Sequence, residues 1–324
     1  MTITSILRLV GWRLLAGVGV LWGAATLTFL VLHFTPGDPA QAIVGGENAA
    51  PTPEVIAQVT AEYGLDQPWY LQYLDHLWRI VRGDLGTSYR LHTPVTQAIG
   101  EQAAATVELA LAAAVIGLAL ALAVAVATAK RRRWIRGLAA GSELVVASTP
   151  TFWLGIVLLT VFSFGLRLFP ATGSHGLASL VLPALALALP IAGVLGHVLR
   201  EALEEVLDEP FIVSARTRGL ADLTVRLRHA LRHALMPLVT MTGYWVGALL
   251  GGAVITETLF TRQGIGRLLI SAVNAKDLPV VLGVVLLSAW IYVLVNLVVD
   301  LLYLAIDPRL RPVAGVRPVA KGVS

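Results

Sequence analysis

Cysteine is absent from this sequence. That removes a disulfide framework, a cysteine-based zinc site and thiol catalysis from consideration. Charge is scarce as well. Asp, Glu, Lys and Arg make up 14% of the chain, against about 25% in soluble domains. There is no GxxxxGK(S/T) phosphate loop, so the chain does not hydrolyse ATP by itself. There is no HExxH zinc motif and no GxSxG nucleophile elbow. What is abundant is apolar surface. Residues of the AVILMFWYC set form 56% of the 324 positions, more than one soluble core would absorb.

A helix needs about 20 apolar residues to cross a hydrocarbon core of roughly 30 Å. Six stretches satisfy this: residues 10–33, 106–129, 138–164, 177–199, 236–256 and 278–306. The first is longer than the 7–15-residue core of a signal sequence. It is followed by HFTPGDPA rather than a small-x-small site, so it reads as a retained anchor. With the N-terminus inside, 17 of the 24 Lys and Arg fall on the inner side. That is the bias of the positive-inside rule, and it places both termini in the cytoplasm.

Two segments outside the spans are long. The outer one, residues 35–103, carries three Arg against eight acids. Pro53 after Thr52 reads as a helix start. Leu71, Leu74, Trp78 and Val81 lie near helical spacing ahead of Gly83, so a small helical cap is expected on the outer face. The inner one spans residues 200–235. Its REALEEVLDE run sets Arg200–Glu204 and Glu201–Glu205 at i,i+4, which mixes attraction with repulsion. Leu199, Leu203 and Val206 share a face, Pro210 breaks the helix, and FIVSARTR is closed by Gly219. A basic helix, LTVRLRHALRHALMP, leads into the fifth span. A loop built as helix, break, short helix, break, helix suits docking of a cytoplasmic partner.

Candidate polar chemistry inside the spans is sparse. Glu108, Glu143, Asp300 and His197 all lie near span ends. Each acid reads as an interfacial hydrogen-bond anchor. The absence of ionic groups at span midpoints argues against an ion-coupled secondary carrier. No Ser–His, Ser–Lys or paired-Asp arrangement at membrane depth suggests an enzyme. His229 and His233 are spaced for a metal, but Arg226, Arg228 and Arg232 surround them. They read as a basic face near anionic headgroups, and no metal is expected. Gly243, Gly247 and Gly251 line one face of the fifth span. They fit intrachain packing, a subunit interface or a pathway wall equally. Pro150, Pro183 and Pro190 could kink their helices.

Several strings carry a resemblance. They are TPGDPA at residues 35–40, LDQPWYLQY at 65–73, GDLGTSY at 83–89 and STPTFWLG at 148–155. SARTRGL at 214–220, RHALRHALMP at 228–237, ETLFTRQGIGRLL and NLVVDLLYLAIDPRLR complete the series. In this order and at these membrane positions they resemble the ABC-transporter permeases of the dipeptide/oligopeptide/nickel importer family. These are binding-protein-dependent inner-membrane components, here in the form with a long outer loop after the first span. The resemblance implies an all-α polytopic fold of about six transmembrane helices with type I ABC importer permease architecture. It divides the chain into 1–103 (first helix and extracytoplasmic loop), 104–306 (five-helix core with a coupling loop at 200–235) and 307–324 (cytoplasmic tail).

The same resemblance implies a non-catalytic subunit that forms half of a pathway importing di- or oligopeptides. The same machine importing nickel or a metal chelate is the alternative cargo reading. Its implied partners are a second homologous permease, two cytoplasmic ABC ATPases or one fused ATPase chain, and an extracytoplasmic substrate-binding protein. ATP and Mg belong on the ATPases, and no cofactor is expected on this chain. Neither is nucleic acid. The implied location is a bacterial inner membrane. By position in the motif, Phe211, Ser214, Ala215, Arg216, Thr217, Arg218 and Gly219 would form the coupling helix. Ser214 stands where the family's EAA loop usually opens with Glu.

Overall fold

The computed structural model describes residues 3–34, 39–44, 52–174 and 176–306. Among them there is no strand, only an isolated antiparallel bridge between Thr87 and Pro94. The helices are α1 (Ile3–Phe34), α2 (Pro39–Val44), α3 (Pro53–Glu62), α4 (Trp69–Val81) and α5 (Val95–Thr128). They continue with α6 (Arg133–Ser148), α7 (Thr151–Leu158), α8 (Ala178–Val206), α9 (Pro210–Thr217) and α10 (Asp222–Thr224). The remainder are α11 (Leu231–Ala234), α12 (Met236–Thr240), α13 (Thr242–Leu259), α14 (Ile265–Asn274) and α15 (Leu278–Ile306). Leu159–Gly165 and Val225–Ala230 are π-helical, the first continuing α7 and the second linking α10 to α11. The chain is an all-α polytopic membrane protein.

Four stretches among the described residues are long and apolar enough to cross a bilayer: Gly11–Val31, Val95–Thr128, Ala178–Val206 and Leu278–Val299. A fifth is a bent pair. The span expected over 138–164 is broken, with Arg133–Ser148 and Thr151–Gly165 inclined by 103°. Pro150 is the cause. It has no N–H to continue the α6 ladder, and it holds Thr149 extended at φ −86°, ψ 127°. Pro183 and Pro190, by contrast, lie inside a continuous α8. The span expected over 236–256 is also interrupted, at Met241 between α12 and α13. Its apolar stretch Trp245–Leu259 is shorter than the other spans.

The centre of the bundle is α8 packed along α5. Ala113, Gly117, Ala121 and Ala125 recur every four residues on the buried face of α5. This small-residue stripe lets the two backbones approach. A Cβ on Gly117 would lie 2.9 Å from Ile191 Cγ2 and 3.2 Å from the Ala188 carbonyl. Leu109, Leu199 and Leu203 are fully buried around this contact, and truncating such a leucine to alanine costs about 2–5 kcal/mol. α6 lies across α8 through Gly193, where a Cβ would fall 2.6 Å from the Glu143 carbonyl. α1 packs chiefly on α15, with Gly17 set against Val293. The cap helix α4 leans on α1 through a Thr26–Tyr73 hydroxyl contact of 2.7 Å and a Phe29–Tyr73 ring contact.

Candidate functional site

At one end of the bundle the loop of residues 200–235 folds back onto the helices it leaves. Pro210 occupies the first position of α9, where its missing N–H is no loss. α9 then turns one apolar side inward. Ile212 is fully buried and Ala215 nearly so, packed with Ala125, Ala129, Leu199, Leu203, Leu207, Val225 and Ala230. The short helix therefore sits on the ends of α5 and α8. Gly219 closes it with φ +81°, a left-handed value that glycine adopts without strain.

Arg226 locks this seat. It is 3% exposed. Its Nη1 donates to the carbonyls of Val126 (2.9 Å) and Ala129 (2.7 Å) at the end of α5. These oxygens belong to the last helical turn and its cap, which lack intrahelical partners, and a cation is favoured there. Arg226 Nε donates to Asp222 Oδ2 at 2.7 Å. That bond, with the further charges of Arg226, Arg216 and Arg131, holds the Asp222 carboxyl below the usual aspartate range.

The residues expected to form the coupling helix separate into two groups. Ala215 faces the bundle. Phe211, Ser214, Arg216, Thr217, Arg218 and Gly219 are exposed. Ser214 Oγ donates to the Pro210 carbonyl and Thr217 Oγ1 to the Ser214 carbonyl, so both hydroxyls serve the helix itself. Arg216 reaches Asp222 at 3.3 Å. Phe211 lies against the His233 ring, with centroids 5.2 Å apart. Val213, Leu220, Leu223 and Leu227 extend the exposed surface with apolar side chains.

The charges that lead into this loop find partners that spacing along the chain does not show. Arg200 does not pair with Glu204. It turns inward, where Nη2 meets Glu143 Oε2 at 2.6 Å, both side chains being less than a tenth exposed. His197 Nδ1 lies 3.2 Å from the same guanidinium nitrogen and 3.5 Å from Glu143. Glu204 instead bonds Arg136 at 3.3 Å and the Lys130 backbone N–H at 3.3 Å. Glu143 is thus half of a buried ion pair, and losing one partner of such a pair costs about 3–5 kcal/mol. Glu108 is also paired, with Arg262 Nη2 at 2.6 Å. The Asp300 side chain lies outside the described residues, as do the surroundings of Gly243. A Cβ at Gly247 or Gly251 would meet nothing within 4 Å. The neighbour Gly252 is the packed one, where a Cβ would fall 2.5 Å from Leu187 Cδ2.

The opposite end holds two carboxylate-centred clusters that sequence reasoning did not single out. Glu257 is fully buried. It accepts from Thr106 Oγ1 (2.6 Å) and from the backbone N–H groups of Gly266 (2.8 Å) and Arg267 (3.1 Å). The carboxylate therefore caps the N-terminus of α14. A Cβ on Gly264 would collide with that carboxylate, which explains the glycine in the TRQGIGR string. Asp277 accepts from Ser88 Oγ and from the backbone N–H of Tyr89 (3.2 Å) and Arg90 (3.3 Å). It pins the turn of the GDLGTSY string to the start of α15. In the sequence, Glu257 is marked only as the first residue of the ETLFTRQGIGRLL string, and nothing there marks Asp277. Between this turn, α14 and α5 opens a cavity of about 280 Å³. Among the described residues no group of three or more His, Asp or Glu is arranged for a metal ion.

Comparison with known proteins gives two family matches. The profile of the family described as "Binding-protein-dependent transport system inner membrane component" matches residues 93–312. The N-terminal region of such membrane components matches residues 6–110. Among similar proteins, a putative peptide transport system permease protein of Brucella abortus (strain 2308) is 38% identical over 308 residues, covering 92% of this chain and 97% of that protein. A putative peptide transport system permease protein of Brucella suis biovar 1 (strain 1330) is likewise 38% identical over 308 residues, with the same coverage. A glutathione transport system permease protein of Salmonella typhimurium (strain LT2) is 37% identical over 300 residues, covering 92% and 97%.

Proposed function

The chain belongs to the family of binding-protein-dependent transport system inner membrane components, and from that premise we propose that it forms half of the translocation pathway of an ATP-driven importer for di- and oligopeptides. The observation that carries this reading is the seat of α9. Ile212 and Ala215 fix it to the ends of α5 and α8, and Arg226 bonds the following segment to the end of α5. A push on α9 from a docked ATPase therefore reaches two long helices through packed contacts rather than through a slack loop. Phe211, Arg216, Arg218 and Leu220 present a mixed apolar and basic surface to that partner.

The partners follow from the same reading. They are two cytoplasmic ABC ATPases or one fused chain, carrying ATP and Mg, with a binding protein on the opposite side and a second homologous permease. The open faces of Gly247 and Gly251 suit close approach by that second permease, or a pathway wall. The distribution of basic residues supports a bacterial inner membrane with both termini in the cytoplasm. The first helix and outer loop (1–103), the core (104–306) and the tail (307–324) then serve as anchor with cap, pathway with coupling loop, and cytoplasmic end. α5 itself starts at Val95, so the cap passes into the core without a break. Peptide is the cargo assigned because relatives are named for peptide and glutathione transport.

The test is purification of the tagged chain from detergent, followed by reconstitution with its co-purifying subunits and binding protein. Recovery of ATPase subunits and ATP-dependent uptake of a labelled dipeptide are expected. Purification without any ATPase, or uptake that collapses with an ionophore at constant ATP, refutes the importer reading. Uptake of labelled nickel in place of the dipeptide refutes the cargo.

A further inference from the structure

The cavity of about 280 Å³ at the end opposite α9 is walled by the turn after Ser88, the first turns of α5, residues 263–264 with α14, and the beginning of α15. Its apolar side is Leu268 and Val280, and its polar side is Arg90, Arg267, Gln102 and Gln263. Two arginines thus line one small space. Among the described residues neither forms an ion pair. Arg267 uses one N–H on the Thr261 carbonyl at 3.0 Å and keeps its other donors. Arg90 is positioned by its backbone N–H bond to Asp277. The one acid in the lining, Asp277, already accepts from Ser88 and two backbone N–H groups. The second nearby acid, Glu257, lies behind Gly264 and is consumed in capping α14. What remains is two available cations, two side-chain amides and an apolar wall.

We infer that this cavity binds the C-terminal carboxylate of a peptide, with Arg90 and Arg267 as the recognising groups. The guanidinium fork matches a carboxylate with two parallel hydrogen bonds. The amides of Gln102 and Gln263 can meet the adjoining peptide group, and Leu268 and Val280 can face the terminal side chain. The volume lies just below the usual range of about 300–1,000 Å³ for small-molecule pockets. It therefore accommodates the end of a peptide rather than a long chain. The inference rests on the importer reading above and adds a cargo-contacting site to it.

The test uses the full transporter complex in nanodiscs without the binding protein. Saturation-transfer NMR follows a free dipeptide and the same dipeptide with a C-terminal amide. The acid is expected to bind the wild type and the amide to bind more weakly. Arg90→Gln and Arg267→Gln are each expected to weaken the acid about tenfold, with the amide unaffected. Arg267→Lys should restore part of the affinity, and thermal melting of every variant should match the wild type. The α14 cap uses the backbone of Arg267, so these exchanges leave it intact. Equal binding of acid and amide by the wild type overturns the inference, as does unchanged acid binding in both Gln variants. ATP-dependent dipeptide uptake by the wild type in proteoliposomes is measured alongside. If uptake is present while the arginines prove indifferent to the carboxylate, only the cavity assignment falls. If the wild type takes up no dipeptide, the importer reading falls and the assignment of cargo to this cavity falls with it.

Discussion

Replacing Arg226 by methionine keeps most of the buried stem and removes every donor. Three bonds are lost: two to the carbonyls of Val126 and Ala129 and one to Asp222. The Asp222 side chain is 45% exposed, so solvent screening leaves that bond little weight. Hydrogen bonds from a charged donor contribute about 1.5–3 kcal/mol each. The two carbonyl bonds then amount to about 3–6 kcal/mol before relaxation. Water can reach helix-end carbonyls once the loop loosens, which brings the expected net loss to about 2–4 kcal/mol. This falls on the local opening of the loop rather than on the bundle. Hydrogen exchange of the α9 amides, residues 210–217, should accelerate about 30- to 700-fold, while α14 remains as protected as before. ATP-dependent uptake should fall with it. Unchanged protection of α9 refutes the claim that Arg226 holds the seat. Equal loss of protection in α9 and α14 means that the substitution destabilises the whole fold.

Further expectations follow from other sites. Gly219→Val should reduce ATP-dependent uptake, because a β-branched residue at φ +81° costs about 1–2 kcal/mol. Gly219→Asn should be tolerated, since a Cβ there meets nothing within 4 Å and the constraint is backbone conformation, not bulk. Gly264→Ala drives a methyl into the Glu257 carboxylate and should cost about 1–3 kcal/mol in detergent melting. Gly251→Ala, with open space around it, should leave melting of this chain unchanged but reduce co-purification of the second permease. The depressed Asp222 pKa has a defined sign. Its contribution is present above the ordinary value of 3.8 and is lost as pH falls below it through the folded-state value. Exchange protection of residues 222–230 should therefore be flat above that value and decline below it, and Asp222→Asn should remove that decline.

Much of the chain was legible because lipid imposes a simple demand. Every backbone group must be bonded within its own helix, and apolar length reports this directly. The apolar helix near residues 10–33 and the spans around α5, α8 and α15 are found where hydropathy predicts them. Pro150 was visible, but its effect was not. A proline can kink or break a helix, and whether α7 folds back depends on what it then packs against. Here the packing residues include Phe260, Leu182 and Ala186. Charge pairing was the least legible feature. Arg200 and Glu204 stand one turn apart, yet each finds a better-placed partner, Glu143 on α6 and Arg136 at its start. The four-residue glycine spacing of α13 drew attention in the sequence. The stripe that builds the bundle is instead Ala113, Gly117, Ala121 and Ala125 of α5, hidden in an alanine-rich run where every face looks small.

The sequence alone determined that this protein crosses a membrane several times, where its basic residues concentrate, and that a broken-helix segment follows the fourth apolar stretch. These are one-dimensional properties, set by run length, charge and Pro or Gly punctuation. Only the tertiary structure decided which side of that short segment is seated and which is free, because the adjacent apolar residues Phe211 and Ile212 are told apart only by what lies opposite them. Only the tertiary structure brought Arg226 to the carbonyls of α5, Asp277 to the turn at Ser88, and Arg90 and Arg267 to one cavity. Each of these meetings joins residues far apart in the chain, and the free energy that holds them comes from burial and hydrogen bonding that exist only after the helices have packed.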